Sequence, residues 1–334
     1  MQKIGKITYK VTNNEKEIGN SRLEFQISGA NIDYIIMNTI RRVILSDIPI
    51  SAFNEFKFEK NTSIFHNNYL KLRLKFLPIW GVKNNIEYFD SNLKNNVDHT
   101  KIEDTNEDNV ELEVEKNMDT TSLKQLTLYI NYKNKTSDII TVTTSNAKFY
   151  YDGKQIDSPY KNPVPIVKLQ PDQEIAFTAI SSLGIEKEDT MFSAVSIATY
   201  KEINDHEFEF YIESRGQIDE KKILVIALKN IERRIKNFLK VLNDEIAEQV
   251  DKDKLEGILI INNEDHTLGN LLSRGLQQHS NISFGGYNLP HPLIKKVELQ
   301  YKLNKKSNIK DIITEVAEYY MDIFNEIKKS IEKN

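Results

Sequence analysis

The sequence contains no cysteine. That excludes disulfides, thiolate-bound zinc and iron–sulfur clusters, and makes a reducing, intracellular setting the default. No apolar run approaches the ~20 residues needed to cross a bilayer, and the opening stretch MQKIGKITYKV lacks the apolar core of a signal peptide. Positive charge is not in excess either. The 45 Lys and Arg are set against 49 Asp and Glu, a net charge of −4, unlike a chain whose main task is to neutralise phosphates. Any DNA contact is therefore expected to be local. Glycine-rich phosphate loops of the P-loop or G-x-G-x-x-G type are missing, as is any trio of aspartates placed to hold two magnesium ions. Asp251 and Asp253 lie beside Lys252 and Lys254 and read as a solvated linker. His266, His279 and His291 are too widely spaced to suggest zinc. The expectation is a chain with no catalytic site, no metal and no cofactor of its own.

What is present is enough to build a core. A hydrophobic fraction of 39% in 334 residues corresponds to two or three domains. Leu23, Phe25 and Ile27 alternate with polar residues as in a half-buried strand. A helix follows over about 31–46, with Asn31 as the expected N-cap, Ile32, Ile35, Ile36, Ile40, Val43 and Ile44 at helical spacing, and Pro49 beyond its end. Further on come strands at 194–200 and 207–213, then a long helix from Asp219 whose stripe runs Leu224, Leu228, Ile231, Ile235 and Phe238. The same order returns in the last third. A strand at 257–262 precedes a helix opening at Asp265-His266-Thr267, strands near 281–287 and 296–303, and a final helix over 308–332 striped with Ile312, Val316, Tyr320 and Ile323.

This is a repeat in residues as well as in elements. Asn38, Ile40 and Arg42 match Asn270, Leu272 and Arg274 at a constant separation of 232. The expected fold is α+β, with two related strand–helix–strand–strand–long helix halves. Each long helix carries an apolar stripe that must be covered, and pairing about a pseudo-twofold axis, an intrachain dimer, covers both at once. The first half, 1–49 with 191–250, is interrupted by a β-rich domain at 50–190, and the second half spans 251–334. Strands are expected inside the insertion at 53–58, 123–132 and 139–143. Its acidic middle, 84–117, reads as a solvated excursion.

The residues then become specific. Asn38-Thr39-Ile40-Arg41-Arg42-Val43-Ile44-Leu45-Ser46-Asp47-Ile48-Pro49 resembles the signature helix of the RNA polymerase alpha family, which takes in bacterial alpha, the archaeal D subunit and the eukaryotic third subunit. Leu70-Lys71-Leu72-Arg73-Leu74-Lys75-Phe76-Leu77-Pro78-Ile79 is similar to the segment that opens that family's inserted domain. Ile166-Val167-Lys168-Leu169 and Glu213-Ser214-Arg215-Gly216 resemble later segments. Glu264-Asp265-His266-Thr267-Leu268-Gly269-Asn270-Leu271-Leu272, Phe284-Gly285-Gly286-Tyr287 and Pro290-His291-Pro292 are similar to the small partner subunit, archaeal L or its eukaryotic eleventh-subunit counterpart. Asn67 and Asn68 stand where relatives often carry acidic residues, and Met191 lies where they often carry a basic one.

The resemblance implies two alpha-like subunits fused in one chain, as in large DNA viruses that carry their own polymerase. It implies a non-catalytic assembly platform for a DNA-directed RNA polymerase. The large half would engage the second-largest catalytic subunit and small zinc-binding subunits, and the small half the largest subunit. DNA would be met only through the complex, with no membrane involved. Asn38, Arg41, Arg42, Arg73, Asn270 and Arg274 are the candidate partner-interface residues. Leu224, Leu228, Ile231, Ile235, Ile312, Val316, Tyr320 and Ile323 are the candidate intrachain dimer residues. A viral source would place the protein in the host cytoplasm or the virion, with the nucleus as an alternative. The rival reading is a free-standing nucleic-acid-binding or scaffold protein.

Overall fold

A computed structural model of the chain describes residues 3–17, 20–80, 125–242 and 254–333. The acidic segment at 84–117, the start of the strand expected at 123, and the linker at 251–253 lie outside the described residues. The chain forms two compact units. One comprises Met1–Ile48 with Ser193–Asn334, and the other is Pro49–Phe192.

The first unit holds both halves of the repeat. In the large half, β1 (Thr8–Glu17), β2 (Asn20–Ser28), β10 (Val195–Asn204) and β11 (Glu207–Ser214) form an antiparallel sheet in the order β1-β2-β11-β10. In the small half, β12 (Glu256–Asn262), β13 (Ile282–Asn288) and β14 (Lys296–Leu303) follow the order β12-β14-β13, also antiparallel. Strands β2, β11 and β10 thus correspond one for one to β12, β14 and β13. Helices α1 (Tyr34–Ser46) and α4 (His266–Gln278) are 13 residues each and begin 232 residues apart. Strand β11 and helix α3 (Glu220–Val241) begin at 207 and 220, while β14 and α5 (Ile309–Glu332) begin at 296 and 309, a constant separation of 89. The separation falls from 232 to 89 because only the first half carries an insertion.

Burial follows the same numbering. Ile223, Leu224, Ala227, Leu228, Ile231, Ile235 and Phe238 on α3 are buried, and so are Ile312, Ile313, Val316, Ala317, Tyr320, Phe324 and Ile327 on α5, each 89 residues later. The two long helices pack on each other, α1 packs on α4, and α5 also reaches β1 of the other half. The long helices therefore close on one another, α3 also packing on β2 and β11 of its own sheet, and the unit is an intrachain pseudo-dimer. Burying each stripe residue contributes roughly 1.5–3 kcal/mol, which is why neither long helix is left uncovered.

The second unit is β-rich. Strands β3 (Ile50–Asn61), β4 (Leu126–Lys133), β6 (Lys148–Tyr151), β7 (Lys154–Ile156) and β9 (Glu174–Gly184) make a five-stranded sheet in the order β3-β9-β4-β6-β7, and β5 (Ile140–Thr143) pairs with β8 (Pro165–Leu169). Helix α2 (Asn67–Lys75) packs on β3 and β8, burying Leu70 and Leu74 in a core with Phe53, Leu128, Phe149 and Phe177.

Two expectations are corrected here. The first helix begins at Tyr34 and its N-cap is Asp33, not Asn31. Asp33 has the extended backbone that a cap requires, and its Oδ1 accepts from the N–H groups of Ile35 and Ile36 at 3.0 Å each. The Asn31 side chain is committed elsewhere: its Oδ1 accepts from the Gly5 N–H at 2.7 Å and its Nδ2 donates to the Tyr319 hydroxyl at 3.0 Å. The second correction concerns Gly269: a glycine in the first turn of a helix costs about 1 kcal/mol against alanine, from which a neighbouring backbone passing close is expected. The close neighbours are side chains: a Cβ there would lie 2.7 Å from the Tyr287 ring and 3.0 Å from Val297.

Candidate subunit interface

Each short helix begins with an aspartate cap, and each sends an arginine to the start of the other. Arg42, two-thirds of the way along α1, donates from Nε to Thr267 Oγ1 in the first turn of α4 at 2.9 Å. Its counterpart Arg274, at the equivalent place in α4, lies with Nε 3.4 Å from Oδ2 of Asp33, the α1 cap. An exchange of this kind, in which i meets j and j's counterpart meets i's, is the mark of an isologous contact. The guanidinium also suits the site, since Asp33 and Asp265 stabilise the positive ends of their helices and offer acidic partners.

The α4 end carries a second arginine. Arg234 of α3 places Nε 2.9 Å and Nη2 2.7 Å from Glu264 Oε2, and Nη2 also reaches Asp265 Oδ1 at 2.7 Å. Its Nη1 lies 3.6 Å from Asp47 Oδ2 at the end of α1. The Arg234 side chain is 19% exposed. Burial works against its charge, but Glu264, Asp265 and Asp47 outweigh that cost and hold the guanidinium more firmly protonated than usual. Beside it, buried Asn230 donates from Nδ2 to the Asp47 carbonyl at 2.9 Å. Helix α3, the end of α1 and the start of α4 are thereby locked together by one charged cluster.

The residues named from sequence are placed in three groups. Arg42 and Arg274 make the reciprocal contacts just described. Asn38 and Arg41 pair along α1, Asn38 Oδ1 accepting from Arg41 Nε at 3.1 Å and Nη2 at 3.0 Å, with both side chains half-buried. Asn270, the counterpart of Asn38, is also half-buried, and Ser273 stands where Arg41 does. Arg73 belongs to the other unit, exposed on α2, with Nη2 donating to the Pro165 carbonyl at 3.2 Å. The histidines do not converge. His266 packs edge-on against Tyr287 with its Nδ1 3.2 Å from that hydroxyl, while buried His279 has Nε2 3.3 Å from Glu315. Among the described residues no three His, Asp or Glu side chains are grouped as a metal site.

Arg234, Asp33, Asp47 and Glu264 were missed by sequence reasoning. A signal existed for Arg234. It follows Ile231 by three and precedes Phe238 by four, so it lies on the flank of the apolar stripe, where a charged group needs a partner.

The family model for the RNA polymerase Rpb3/Rpb11 dimerisation domain matches residues 24–235, and a second model of the same description matches residues 256–330. The chain belongs to the RNA polymerase Rpb3/Rpb11 dimerisation-domain family. The two matches fall on the two halves of the pseudo-dimer, so two dimerisation domains are fused in one polypeptide. Among relatives, a protein of Acanthamoeba polyphaga mimivirus provisionally named DNA directed RNA polymerase subunit R470 is 28% identical over 331 residues, covering 93% of this chain and 90% of its own. The DNA-directed RNA polymerase subunit Rpo3 of Methanocaldococcus jannaschii is 26% identical over 212 residues, 64% of this chain and 86% of that one. The DNA-directed RNA polymerase II subunit rpb3 of Dictyostelium discoideum is 28% identical over 189 residues, 55% of each. The match to the mimiviral protein thus runs through both dimerisation domains.

Proposed function

We infer that the chain is a non-catalytic assembly subunit of a DNA-directed RNA polymerase, of the fused kind carried by a large DNA virus. The observation that carries this reading is the closed pseudo-dimer. Two dimerisation domains, each matching the Rpb3/Rpb11 family, cover each other's apolar helices within one chain. Such a unit offers a rigid two-sided platform, and polymerisation chemistry resides in the large subunits it brings together. In this reading the large half receives the second-largest subunit and small zinc-binding subunits, and the small half receives the largest. Work inside a transcription complex implies an intracellular site.

The arginines fit that role through the donors they have left. Arg42 spends only Nε on Thr267, and no partner is found for its two Nη groups among the described residues. Arg41, held by Asn38 and half-buried, likewise presents a pre-oriented guanidinium, the form in which arginine contributes most to an interface. Affinity purification of the tagged chain from its native source, with partners identified by mass spectrometry, tests the reading. Both large polymerase subunits are expected with the wild type, and loss of the second-largest subunit is expected with Arg41→Glu. A variant that retains it at wild-type yield removes Arg41 from the interface. Recovery of DNA-binding activity that falls steeply with salt, without polymerase subunits, would instead support a free-standing nucleic-acid-binding protein.

A further inference from the structure

The two ends of the pseudo-twofold are filled differently. At the α4 end, Arg234 occupies the space between Asp47, Glu264 and Asp265. At the α1 end its counterpart 89 positions later is Ile323, and the counterparts of Glu264 and Asp47, 232 positions away, are Ile32 and His279. The ground that the clamp covers at one end is a cavity of about 320 Å³ at the other, bounded by Asp33, His206, Arg274, Gln278, Tyr319 and Tyr320.

Hydrogen-bonding capacity around that cavity is unbalanced. Both oxygens of Asp33 are engaged, Oδ1 by the N–H groups of Ile35 and Ile36 and Oδ2 by Arg274 Nε. His206 has its Nδ1 3.0 Å from the Ile32 carbonyl, which fixes that nitrogen as a donor. Tyr319 accepts from Asn31 and so keeps its own proton to give. Tyr320 is 2% exposed, and its hydroxyl has no hydrogen-bond partner. Burial is the main reason that phenol is harder to ionise than usual, and Asp33 adds to the effect, while Tyr320 lines the cavity together with Asp33 and Arg274. The two Nη groups of Arg274 have no partner among the described residues. The unspent groups include four donors, two guanidinium nitrogens and two phenols, beside His206 Nε2 and the Gln278 amide; of the donors the Tyr320 hydroxyl is the buried one, where lacking an acceptor is costly, while the Arg274 side chain is 35% exposed.

We propose that this cavity binds a single carboxylate, presented as the side chain of an acidic residue of a partner polypeptide. The planar fork of Arg274 takes the carboxylate oxygens, and the Tyr320 hydroxyl donates to one of them. One negative charge is the right number. The Asp33 charge is met by the Ile35 and Ile36 N–H groups at the positive end of α1 and touches Arg274 only through one 3.4 Å contact, so the guanidinium can match one carboxylate, whereas a phosphate dianion would add a second charge that no cation there matches. The volume lies at the small end for a ligand site and suits a side chain tip. At the α4 end the chain completes its own ion cluster, whereas here the missing member comes from another molecule. This inference does not depend on which complex the chain assembles.

The test uses the full chain and saturation-transfer NMR with N-acetyl-glutamate N-methylamide, its glutamine analogue and succinate. The glutamate compound is expected to bind in the millimolar range, at least about fivefold more tightly than the glutamine compound. Tyr320→Phe, which removes one oxygen, should weaken binding about fivefold, and Arg274→Gln should abolish it. Absence of binding by the glutamate compound, equal binding by the glutamine compound, or unchanged binding in Tyr320→Phe overturns the proposal. Tighter binding of succinate than of the glutamate compound overturns the assignment to a partner side chain. Should Arg274→Gln unfold, as read by its circular dichroism melt, Tyr320→Phe decides alone.

Discussion

Phe208 and Phe210 of β11 face the core of the large half, with Phe25 of β2 stacked on Phe210 at a centroid distance of 5.3 Å. In the small half the same places, 89 residues later, hold Val297 and Leu299. The lost bulk returns on the helix, where Tyr320 replaces Ile231 and Phe324 replaces Ile235. Two cores of different composition thus fill the same topology, with aromatic bulk at these places on the strand in one half and on the helix in the other. Close packing fixes how much volume must be present, while the burial pattern fixes where apolar residues go. The polar ends of the two halves differ more sharply, since one has a buried charged clamp and the other a cavity.

That contrast can be broken most strongly at the clamp. Arg234→Met leaves three carboxylates close together with their shared cation gone. The expected loss is about 3–5 kcal/mol in urea-unfolding free energy, against less than about 1 kcal/mol for Arg274→Met at the other end, where a single long contact is lost. Similar losses at both ends would mean that the clamp is not what distinguishes them. Adding Glu264→Gln and Asp265→Asn to Arg234→Met should recover a large part of the loss.

A second effect concerns close approach of helices. Gly275 on α4 has Val43 as its counterpart on α1, and a Cβ at Gly275 would lie 2.2 Å from Val316 Cγ1 on α5. Gly275→Ala should cost about 1–3 kcal/mol by overpacking, and Val316→Ala in the same chain should restore part of it. A thermal melt unchanged by Gly275→Ala would show that α4 can shift away from α5 without loss. Smaller again is the cap. Asp33→Ala should cost about 1 kcal/mol, whereas Asp265→Ala should cost more because it also weakens the clamp. An equal cost for the two caps would detach Asp265 from Arg234.

Much of this was legible in the sequence because it rests on period and spacing. The stripes of α3 and α5, the helix starts at Asp219 and Asp265, and the separation of 232 between α1 and α4 follow from which residues are apolar and where they fall. What escaped depends on geometry that no pattern states. Asn31 and Asp33 are both good caps two residues apart, and the backbone angles at Asp33 decide between them. Strand β1 was not anticipated: it is polar along most of its length, and among its described side chains only Tyr9 is buried. Among the candidate interface residues, Arg42 and Arg274 stand out through the repeat, and Arg41 through the family resemblance. Arg234 does not, since a stripe read only for apolar residues passes over the charge on its flank. Their contacts with Thr267, Asp33 and Glu264 join residues far apart in the chain, which spacing alone does not reveal.

Fusion of the two halves has a kinetic meaning. When dimerisation domains are separate chains, their encounter is bimolecular and weakens on dilution. Here both domains arrive on one polypeptide, so docking α3 on α5 is a first-order step at an effective concentration set by the short connection between them. The stoichiometry is one to one from synthesis onward. Each half also meets its own partner before any competing copy, a useful property wherever related dimerisation domains from another source share the same compartment.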